Sequence, residues 1–348
     1  MKKSQSILGL LGELNRKGQP LVVATHDGIF HLDETLCLAM LKYLCDAFHV
    51  VLNVQRSRDL FIVNRADIAI DVGMKYEPEY FRFDHHQKGG AGCRKKDGSE
   101  EDGTPFSSIG LFWKHFGEDF CKVVLNGESR ASVDAGQLQK IWKKVDRLLI
   151  EGVDALDTGS VKIRSKGLMV QSLSSCVSHL NPVQIMYASD SKAQIDAQKC
   201  AVAFLKQALV GFVMRATDSI VGMAEVGRAM SYSNKTNSRI LVLDSSTQAW
   251  RGAVVKNPKL ALVIQPQLDD GRTWGILVVE RDENQFQFPE DWGGCNAEEL
   301  VEMTGIEAFT FCHDAGFFAA TRTRESALAV AELALGIFDK SCCEVTES

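Results

Sequence analysis

The chain lacks the features that mark several classes of protein. None of its ten cysteines forms a CxxC pair, so a structural zinc site built from thiolates is not expected. No apolar run approaches the roughly 18 residues that a membrane span needs, so no membrane contact is predicted. The net charge of −6 and the isoelectric point near 5.8 argue against tight binding to duplex DNA. These absences leave a globular protein of ordinary composition.

The cysteines and the N-terminal segment both bear on the compartment. The cysteines sit singly in apolar stretches such as LCLAMLKYLC, a pattern typical of buried thiols in a reducing compartment. The N-terminal segment MKKSQSILGLLGELNRKGQP contains Glu13 and further polar residues, which do not fit a secretory signal and instead predict an amphipathic helix. We therefore expect a cytoplasmic protein, with mitochondrial and nuclear sites left open.

Apolar strands and helical patterns alternate over the first ninety residues. PLVVATHD predicts a buried strand, and DETLCLAMLKYLCDAF predicts the helix after it. Three further strands follow, in HVVLNVQRS, ADIAIDVGMKY and YFRFDHHQKGG. This order predicts an α/β fold with a largely parallel sheet and flanking helices. Ligands of such sheets collect at the carboxyl ends of the strands, where His26, Asp71 and His85 are expected.

The length of 348 residues is enough for about two domains. The pattern is helical from about Val183 to Tyr232, and the polar segment SYSNKTNSR marks a boundary. After it, ILVLD, LALVIQP and WGILVVE predict strands, and RESALAVAELALGIFDK predicts a last helix. We therefore predict a metal-binding catalytic domain over 1–232, which includes the helical segment 183–232, and a smaller α+β domain over 233–348.

Histidines and acids concentrate in the stretch THDGIFHLDE, residues 25–34, and again in DVG at 71–73, DHH at 84–86 and EGVDALD at 151–157. Unpaired buried charge is costly, so such a cluster needs a partner. Imidazoles and carboxylates without thiolates suit Mn²⁺, Mg²⁺, Zn²⁺ or Fe²⁺. There are more positions than one tetrahedral site needs, so we predict a pair of ions bridged by one carboxylate, which serves phosphoryl and hydrolytic chemistry.

Each motif alone also has an ordinary structural explanation. DHH is compatible with a surface turn, the aspartate of DVG with a turn cap, and Asp154 with a salt bridge. His49, His115 and His179 have no acidic cluster beside them, and we assign them to packing or to the surface. The succession of the motifs at neighbouring strand ends favours the metal site.

The same motifs carry a family resemblance. A DHH triplet preceded by an H-x(4)-H-x-D cluster and a strand-end aspartate resembles the DHH phosphoesterase superfamily. The chain is more closely similar to the Myg family of DHH-type metal-dependent hydrolases, which includes a 3′→5′ RNA exonuclease. This resemblance runs from about residue 20 to residue 337, through the segments VATHDGIFHLDE, DVGMKYEPEYFRFDHHQKGG, FSSIGLFWKHFG, GVDALDTG, LSSCVSHLNP and HDAGFFAATRTRESAL.

The resemblance implies two Mn²⁺ or Mg²⁺ ions and a set of ligands, with Asp71 as the bridging carboxylate. The implied metal ligands are His26, His31, Asp33, Asp71, His85 and Asp154. The superfamily usually has aspartate where His31 stands, a departure that favours softer ions such as Zn²⁺ or Fe²⁺.

Two residues of the DHH triplet are expected to support the ligands. Asp84 is expected to orient His85 as a hydrogen-bond acceptor. Neighbouring side chains of an extended segment point opposite ways, so we assign His86 to the substrate phosphate rather than to the metal of His85. The expected catalytic residues are thus Asp71, His85 and His86.

The C-terminal segment HDAGFFAATRTRE matches the part of the family that contacts substrate. His313, Arg322 and Arg324 are therefore expected to bind substrate, the arginines because guanidinium pairs well with phosphate. Ala319 and Ala320 stand where the superfamily shows glycines, which weakens the expectation of a backbone cradle for phosphate.

The function implied is a divalent-metal-dependent phosphodiesterase, a 3′→5′ exonuclease on short single-stranded RNA, in which a metal-bound hydroxide attacks phosphorus in line. Two alternatives remain open. One is hydrolysis of a small phosphoanhydride or cyclic dinucleotide, which the acidic net charge favours. The other is a metal-binding regulatory protein with little turnover. The expected partner is a short RNA or a small nucleotide, and a homodimer is left open.

Overall fold

The computed structural model describes residues 6–95, 102–129, 131–162, 170–183, 191–254, 257–267, 272–280 and 286–346. By its internal contacts the chain divides into two units, Met1–Thr217 and Asp218–Ser348. This division falls before the predicted boundary between residues 232 and 233, because the helix Met223–Thr236 packs against a strand of the second unit.

A five-stranded sheet forms the centre of the first unit, in the order β2-β1-β3-β5-β4. Its strands are β1 (Leu21–Thr25), β2 (Leu52–Arg56), β3 (Ile68–Ile70), β4 (Tyr76–Glu77) and β5 (Arg82–Phe83). All neighbouring strands are parallel except β4, which runs antiparallel to β5. This arrangement confirms the predicted α/β fold. A separate antiparallel ribbon joins β6 (Cys93–Lys95) and β7 (Asp102–Pro105).

The first unit also contains helices, of which α2, α3 and α4 contact the strands of its sheet. In chain order the helices are α1 (Ile7–Lys17), α2 (Leu32–Ala47), α3 (Leu60–Arg65), α4 (Ser108–Glu128), α5 (Ala135–Val145), α6 (Glu151–Asp157), α7 (Leu173–His179) and α8 (Ser191–Val221), and α8 continues into the second unit. A π-helical turn over Asp146–Ile150 joins α5 to α6. Helices α2 and α4 pack against each other and bury most of their residues, so the beginning of each lies inside the unit.

The N-terminal helix α1 confirms the predicted amphipathic segment. Ser6 caps it by accepting a hydrogen bond from the Gly9 N–H at 3.1 Å, and Gly18 ends it in the left-handed conformation. Ile7, Leu11 and Leu14 are buried, and the helix packs on α2 and α4. The helix is therefore part of the core of the first unit.

The second unit is a smaller α+β fold, as predicted. Its strands β8 (Ile240–Val242), β9 (Leu262–Pro266), β10 (Trp274–Val278), β11 (Phe309–Cys312) and β12 (Phe318–Thr321) form a sheet in the order β11-β12-β10-β9-β8. Its helices are α9 (Met223–Thr236), α10 (Trp250–Val254), α11 (Ala297–Thr304) and α12 (Arg324–Thr346). The hairpin of β11 and β12 and the short helices α10 and α11 were not predicted.

One helical stretch, Lys192–Thr236, is long and apolar enough to cross a bilayer within the part of the chain that the structure describes. In the most apolar 18-residue window of this stretch, 44% of the residues are buried inside the protein. Core helices can have the same length and apolar composition as membrane-spanning helices. The expectation of no membrane contact therefore stays a prediction.

Truncation of a buried side chain on α1 tests the packing of this helix. Leu11 is 0% exposed, so Leu11→Ala is expected to lower the free energy of unfolding by about 2–5 kcal/mol through lost burial and the cavity left behind. Leu10→Ala, at a partly exposed position of the same helix, serves as the control and should be milder. Denaturant titration followed by circular dichroism measures both, and equal losses would contradict a buried α1 face.

Candidate metal centre

Three strands of the parallel sheet deliver side chains to one edge. His26 follows β1, Asp71 follows β3, and the triplet Asp84–His86 follows β5. The carboxyl ends of parallel strands meet at the same edge of a sheet, so these residues become neighbours. Helix α2 begins at this edge and carries Asp33 and Glu34 in its first turn.

A first group of candidate ligands consists of His26, His31, Glu34 and Asp71, whose ligand atoms all lie within 4.8 Å of one another. The Nε2 atom of His26 lies 3.3 Å from Oε1 of Glu34 and 3.3 Å from Oδ2 of Asp71. The Nδ1 atom of the same ring donates to the carbonyl oxygen of Asp27 at 2.9 Å. This bond turns Nε2 toward the carboxylates, as ligand histidines require.

A second group consists of Asp33, His85 and Asp157, and a third links Asp71 to His85 and His86. The Nε2 atom of His85 lies 3.3 Å from Oδ1 of Asp71 and 3.3 Å from Oδ2 of Asp157. Asp71 thus presents Oδ2 to the first group and Oδ1 to the second. A carboxylate that bridges two ions would be placed in this way.

Several ligand atoms of these groups are buried without a hydrogen-bond partner. They are Nε2 of His26, Nε2 of His85, both carboxylate oxygens of Asp33, and Oε2 of Glu34. A buried carboxylate that accepts no hydrogen bond is strongly unfavourable. Divalent cations would supply the missing partners, so the residues present fit a metal centre.

The electrostatics of the cluster show how much negative charge is gathered here. Burial, reinforced by the charges of Asp71 and Glu34, raises the pKa of Asp33 well above its usual range. Burial alone would lower the pKa of His26, but the carboxylates of Asp71 and Glu34, each 3.3 Å from its Nε2 atom, outweigh burial and raise that pKa to about 10. Burial would raise the pKa of Asp71, yet the neighbouring histidines hold it well below its usual range.

The backbone around Asp71 is strained. Asp71 has a φ of +57° and Met74 a φ of +57°, in the left-handed region that non-glycine residues avoid, and Gly73 between them has a φ of +99°. Each such non-glycine residue costs about 1–3 kcal/mol and persists only where its surroundings hold it. Asp84 helps to hold this turn, because its Oδ2 accepts the Met74 N–H at 2.6 Å.

The structure corrects two expectations for the DHH triplet, namely that Asp84 orients His85 and that the side chains of His85 and His86 point opposite ways. Asp84 orients His86 rather than His85, since its Oδ1 accepts both the His86 N–H at 3.0 Å and the His86 Nδ1–H at 2.9 Å. The rings of His85 and His86 lie 4.2 Å apart, and both approach Oδ1 of Asp71 at 3.3 Å. Strand β5 ends at Phe83, so the alternation of a strand does not extend to the two histidines.

Asp154, expected as a ligand, lies elsewhere. Its Oδ1 accepts hydrogen bonds from the Ser107 N–H at 3.1 Å, the Ser107 hydroxyl at 2.6 Å and the Gly110 N–H at 3.1 Å. Its Oδ2 accepts from Arg94. Both oxygens are therefore committed to other partners. Asp157, about one turn later on α6, provides the carboxylate beside His85.

Sequence reasoning missed two members of the groups, Glu34 and Asp157. Glu34 belongs to the stretch THDGIFHLDE, and its position beside Asp33 in the first turn of a helix was the signal that could have found it. Asp157 belongs to EGVDALD, where two aspartates stand one helical turn apart and the sequence alone does not separate their roles.

The residues expected to bind substrate from the C-terminal segment all belong to the second unit. Arg322 is exposed, and Nη2 of Arg324 lies 3.6 Å from Oδ1 of Asp244. The Nδ1 atom of His313 accepts a backbone N–H within its own turn. Ala319–Ala320 is buried in β12 as part of the sheet, which leaves no cradle for phosphate there. The roles of His313, Arg322 and Arg324 remain predictions.

Comparisons with known sequences place the chain in a family. The family model MYG1_exonuc, described as an uncharacterised protein family (UPF0160), matches residues 22–335. MYG1 protein C694.04c of Schizosaccharomyces pombe is 31% identical over 328 residues, which cover 90% of this chain and 97% of that protein. MYG1 exonuclease of Mus musculus is 28% identical, over 91% of this chain and 85% of that protein. MYG1 exonuclease of Homo sapiens is 27% identical, over 91% of this chain and 86% of that protein.

Among solved structures, RecJ from Thermus thermophilus in complex with Mn²⁺ is similar over 94% of this chain and 54% of its own, with 12% sequence identity and a TM-score of 0.26. This chain therefore spans about half the length of that protein. A TM-score this low marks a distant likeness, and the fold described above is defined by its own strand order.

The metal centre and the matched family together define the class of the protein as a metal-dependent phosphoesterase of the exonuclease type. The chain belongs to the MYG1 exonuclease family over residues 22–335. The family resemblance carried by its motifs is thereby confirmed.

Loss of the Asp157 carboxylate is expected to weaken metal binding. Asp157→Asn should lower the affinity for Mn²⁺ by at least about 10–100-fold, since it removes one charge and one ligand atom from the second group. Asp27→Asn is the matched control, because Asp27 lies in the same motif as the ligands but its exposed carboxylate pairs with Arg58. Isothermal titration calorimetry measures both, and an Asp157→Asn variant that binds like the wild type would remove Asp157 from the ligand set.

Metal binding at pH 7 is expected to release protons. The pKa of His26 is raised to about 10, so its ring is protonated at pH 7 and must lose a proton before Nε2 can ligate an ion. Affinity for Mn²⁺ should therefore rise as the pH increases from 6 toward 9. Calorimetry in buffers of different ionisation enthalpy counts the protons, and a His26→Gln variant should release fewer. Binding without proton release would contradict ligation by His26.

Proposed function

We propose that the protein removes nucleotides from the 3′ end of short single-stranded RNA, with two divalent ions held by its metal centre. The observation that carries this proposal is the set of buried ligand atoms without hydrogen-bond partners, in particular both oxygens of Asp33. Buried carboxylates in this state call for cations, and paired cations serve the hydrolysis of phosphodiesters.

The number of ions follows from charge and grouping. The groups contain four carboxylates, from Asp33, Glu34, Asp71 and Asp157, whose charges two divalent ions would balance. Four imidazoles accompany them, from His26, His31, His85 and His86, which favours Mn²⁺ over Mg²⁺ because Mg²⁺ prefers oxygen ligands and retained waters. Zn²⁺ and Fe²⁺ also accept such a set and belong in any test of metal preference.

The residues of the chain would divide the work around the phosphate. When bound, the ions would lower the pKa of a water molecule and share the charge on the leaving oxygen. Asp71 would be the carboxylate that the two ions share. The His86 side chain is 55% exposed, and hydrogen bonding to Asp71 and Asp84 raises its pKa to about 9. Its exposed ring would offer an N–H donor to a phosphate oxygen.

Two observations support a short strand as substrate. Mammalian relatives carry the name MYG1 exonuclease. The second unit, Asp218–Ser348, contains 20 Asp and Glu residues against 11 Lys and Arg, and such a surface does not attract a long polyanion. The same charge favours a second candidate substrate, a small phosphoanhydride or cyclic dinucleotide.

A 5′-labelled oligoribonucleotide with Mn²⁺ tests the proposed reaction. The wild type should shorten the labelled strand stepwise from its 3′ end, and a strand with a blocked 3′ terminus should resist hydrolysis. Asp71→Ala and His85→Ala are expected to lower the rate at least about 100-fold, since each removes an atom shared between the ligand groups. Asp27→Asn should retain activity. Shortening that persists in both alanine variants would exclude this metal centre as its source.

Further substrates separate the finer parts of the proposal. Single-stranded DNA of the same sequence tests the preference for RNA, and a 3′-labelled strand tests the direction. Pyrophosphate and a cyclic dinucleotide test the second candidate. Faster hydrolysis of either small substrate than of RNA would favour that candidate over the exonuclease, and binding of Mn²⁺ without hydrolysis of any substrate would indicate a metal-binding protein with little turnover.

A further inference from the structure

The buried carboxylate of Asp154 organises the beginning of α4. Ser107, which precedes the helix, makes no side-chain capping bond within it, because its hydroxyl donates to Oδ1 of Asp154 at 2.6 Å. The same oxygen accepts the N–H groups of Ser107 and Gly110, both at 3.1 Å. Unpaired N–H groups at a helix start need such acceptors. Asp154 thus acts as a cap supplied from another helix.

The close approach of this carboxylate depends on Gly110. A Cβ atom at position 110 would lie 2.0 Å from Oδ2 and 2.6 Å from Cγ of Asp154. Asp154 itself is 0% exposed. The helix start and the carboxylate therefore fit together with no space for another side chain between them.

Arg94 fixes the other oxygen of Asp154. Its guanidinium donates to Oδ2 of Asp154 and forms two bonds to Asp146, from Nε at 3.2 Å and from Nη2 at 2.7 Å. It also lies over the Phe106 ring, 4.8 Å from the centroid. A guanidinium held on both sides in this way neutralises the buried charge and leaves the carboxylate one orientation.

The next residue of α4 connects this arrangement to the metal centre. Ser108 is fully buried, and its hydroxyl donates to Oδ1 of Asp71 at 3.0 Å. Oδ1 is the atom that also faces His85 and His86. Since Asp154 fixes the backbone at residues 107–110, it also fixes the position from which Ser108 reaches Asp71.

We propose that Asp154 is a positioning residue of the metal centre, which acts through Ser108 on the orientation of Asp71 and does not itself bind an ion. This inference rests on the proposed function, because it assigns Asp71 to the bound ions. The order of contacts is Arg94, Asp154, the helix start at Ser107–Ser108, and Asp71.

A double-mutant cycle on metal binding tests this order of contacts. Ser108→Ala and Asp154→Asn are each expected to weaken Mn²⁺ binding by about 10–100-fold. If Asp154 acts through Ser108, the double variant should bind within about twofold of the weaker single variant, because coupled residues are not additive. If the fold-losses of Mn²⁺ affinity in the two single variants multiply in the double variant, the proposal is overturned.

A spectroscopic readout separates positioning from general loss of structure. The visible absorption of bound Co²⁺ reports coordination geometry, and it should change in Ser108→Ala while the unfolding midpoint stays close to that of the wild type. Thr104→Ala is the matched control, since this hydroxyl contacts Glu151 at 3.1 Å and lies outside the order of contacts. An unchanged spectrum and affinity in Ser108→Ala would also overturn the proposal.

A milder variant covers the case in which Asp154→Asn does not fold. Ser107→Ala removes one donor to Asp154 and preserves all charges, and its effect on Mn²⁺ affinity should likewise disappear in the Ser108→Ala background. If Ser107→Ala still weakens Mn²⁺ binding in the Ser108→Ala background, the proposal is contradicted. A wild type that binds neither Mn²⁺ nor Co²⁺ would defeat the proposed function, whereas a wild type that binds both, with variants that bind equally well, would defeat only the positioning role.

Discussion

The concentration of buried negative charge at one sheet edge is the constraint on which the first unit depends. Asp33, Glu34 and Asp71 are at most 5% exposed, and ligand atoms lie within 4.8 Å of each other in the pairs Glu34 with Asp71 and Asp33 with Asp157. Mutual repulsion and desolvation oppose this arrangement. Protons on the imidazoles and on Asp33, hydrogen-bond donors such as the Ser108 hydroxyl, and metal ions can each offset it. The surrounding fold can therefore be understood as the scaffold that keeps these groups together in spite of their charge.

The parallel sheet provides that scaffold through its strand order. Strand β5 lies beside β3 although β4 intervenes in the sequence, so the Asp71 N–H donates to the Phe83 carbonyl oxygen at 3.0 Å. This bond secures the left-handed conformation of Asp71 and places it beside the DHH triplet. Asp84 then connects the turn at Met74 to the His86 ring. The backbone strain at Asp71 is thus balanced by contacts that also orient the neighbouring ligands.

The sequence predicted the parts of the structure that depend on local patterns. The strands ending at His26 and Asp71 and the α/β class followed from hydrophobic runs that stop at polar residues. It did not predict the assignments that depend on contacts across the fold. Whether Asp84 faces His85 or His86 depends on where β5 ends, and a two-residue strand gives no reliable alternation. The hairpin of β11 and β12 was missed because its alanines are buried by packing that no local period reveals.

Helix α6 shows why the two aspartates of EGVDALD could not be separated by motif alone. Residues three apart in a helix lie on neighbouring faces, so Asp157 can reach His85 while Asp154 reaches the start of α4. One rigid turn therefore carries both a candidate ligand and the anchor of the helix that supports Asp71. Any shift of α6 would move Asp157 directly and Asp71 through Ser108. Asp157 belongs to the second group of ligands and Asp71 to the first, so this helix contributes to one group directly and contacts the other through Ser108.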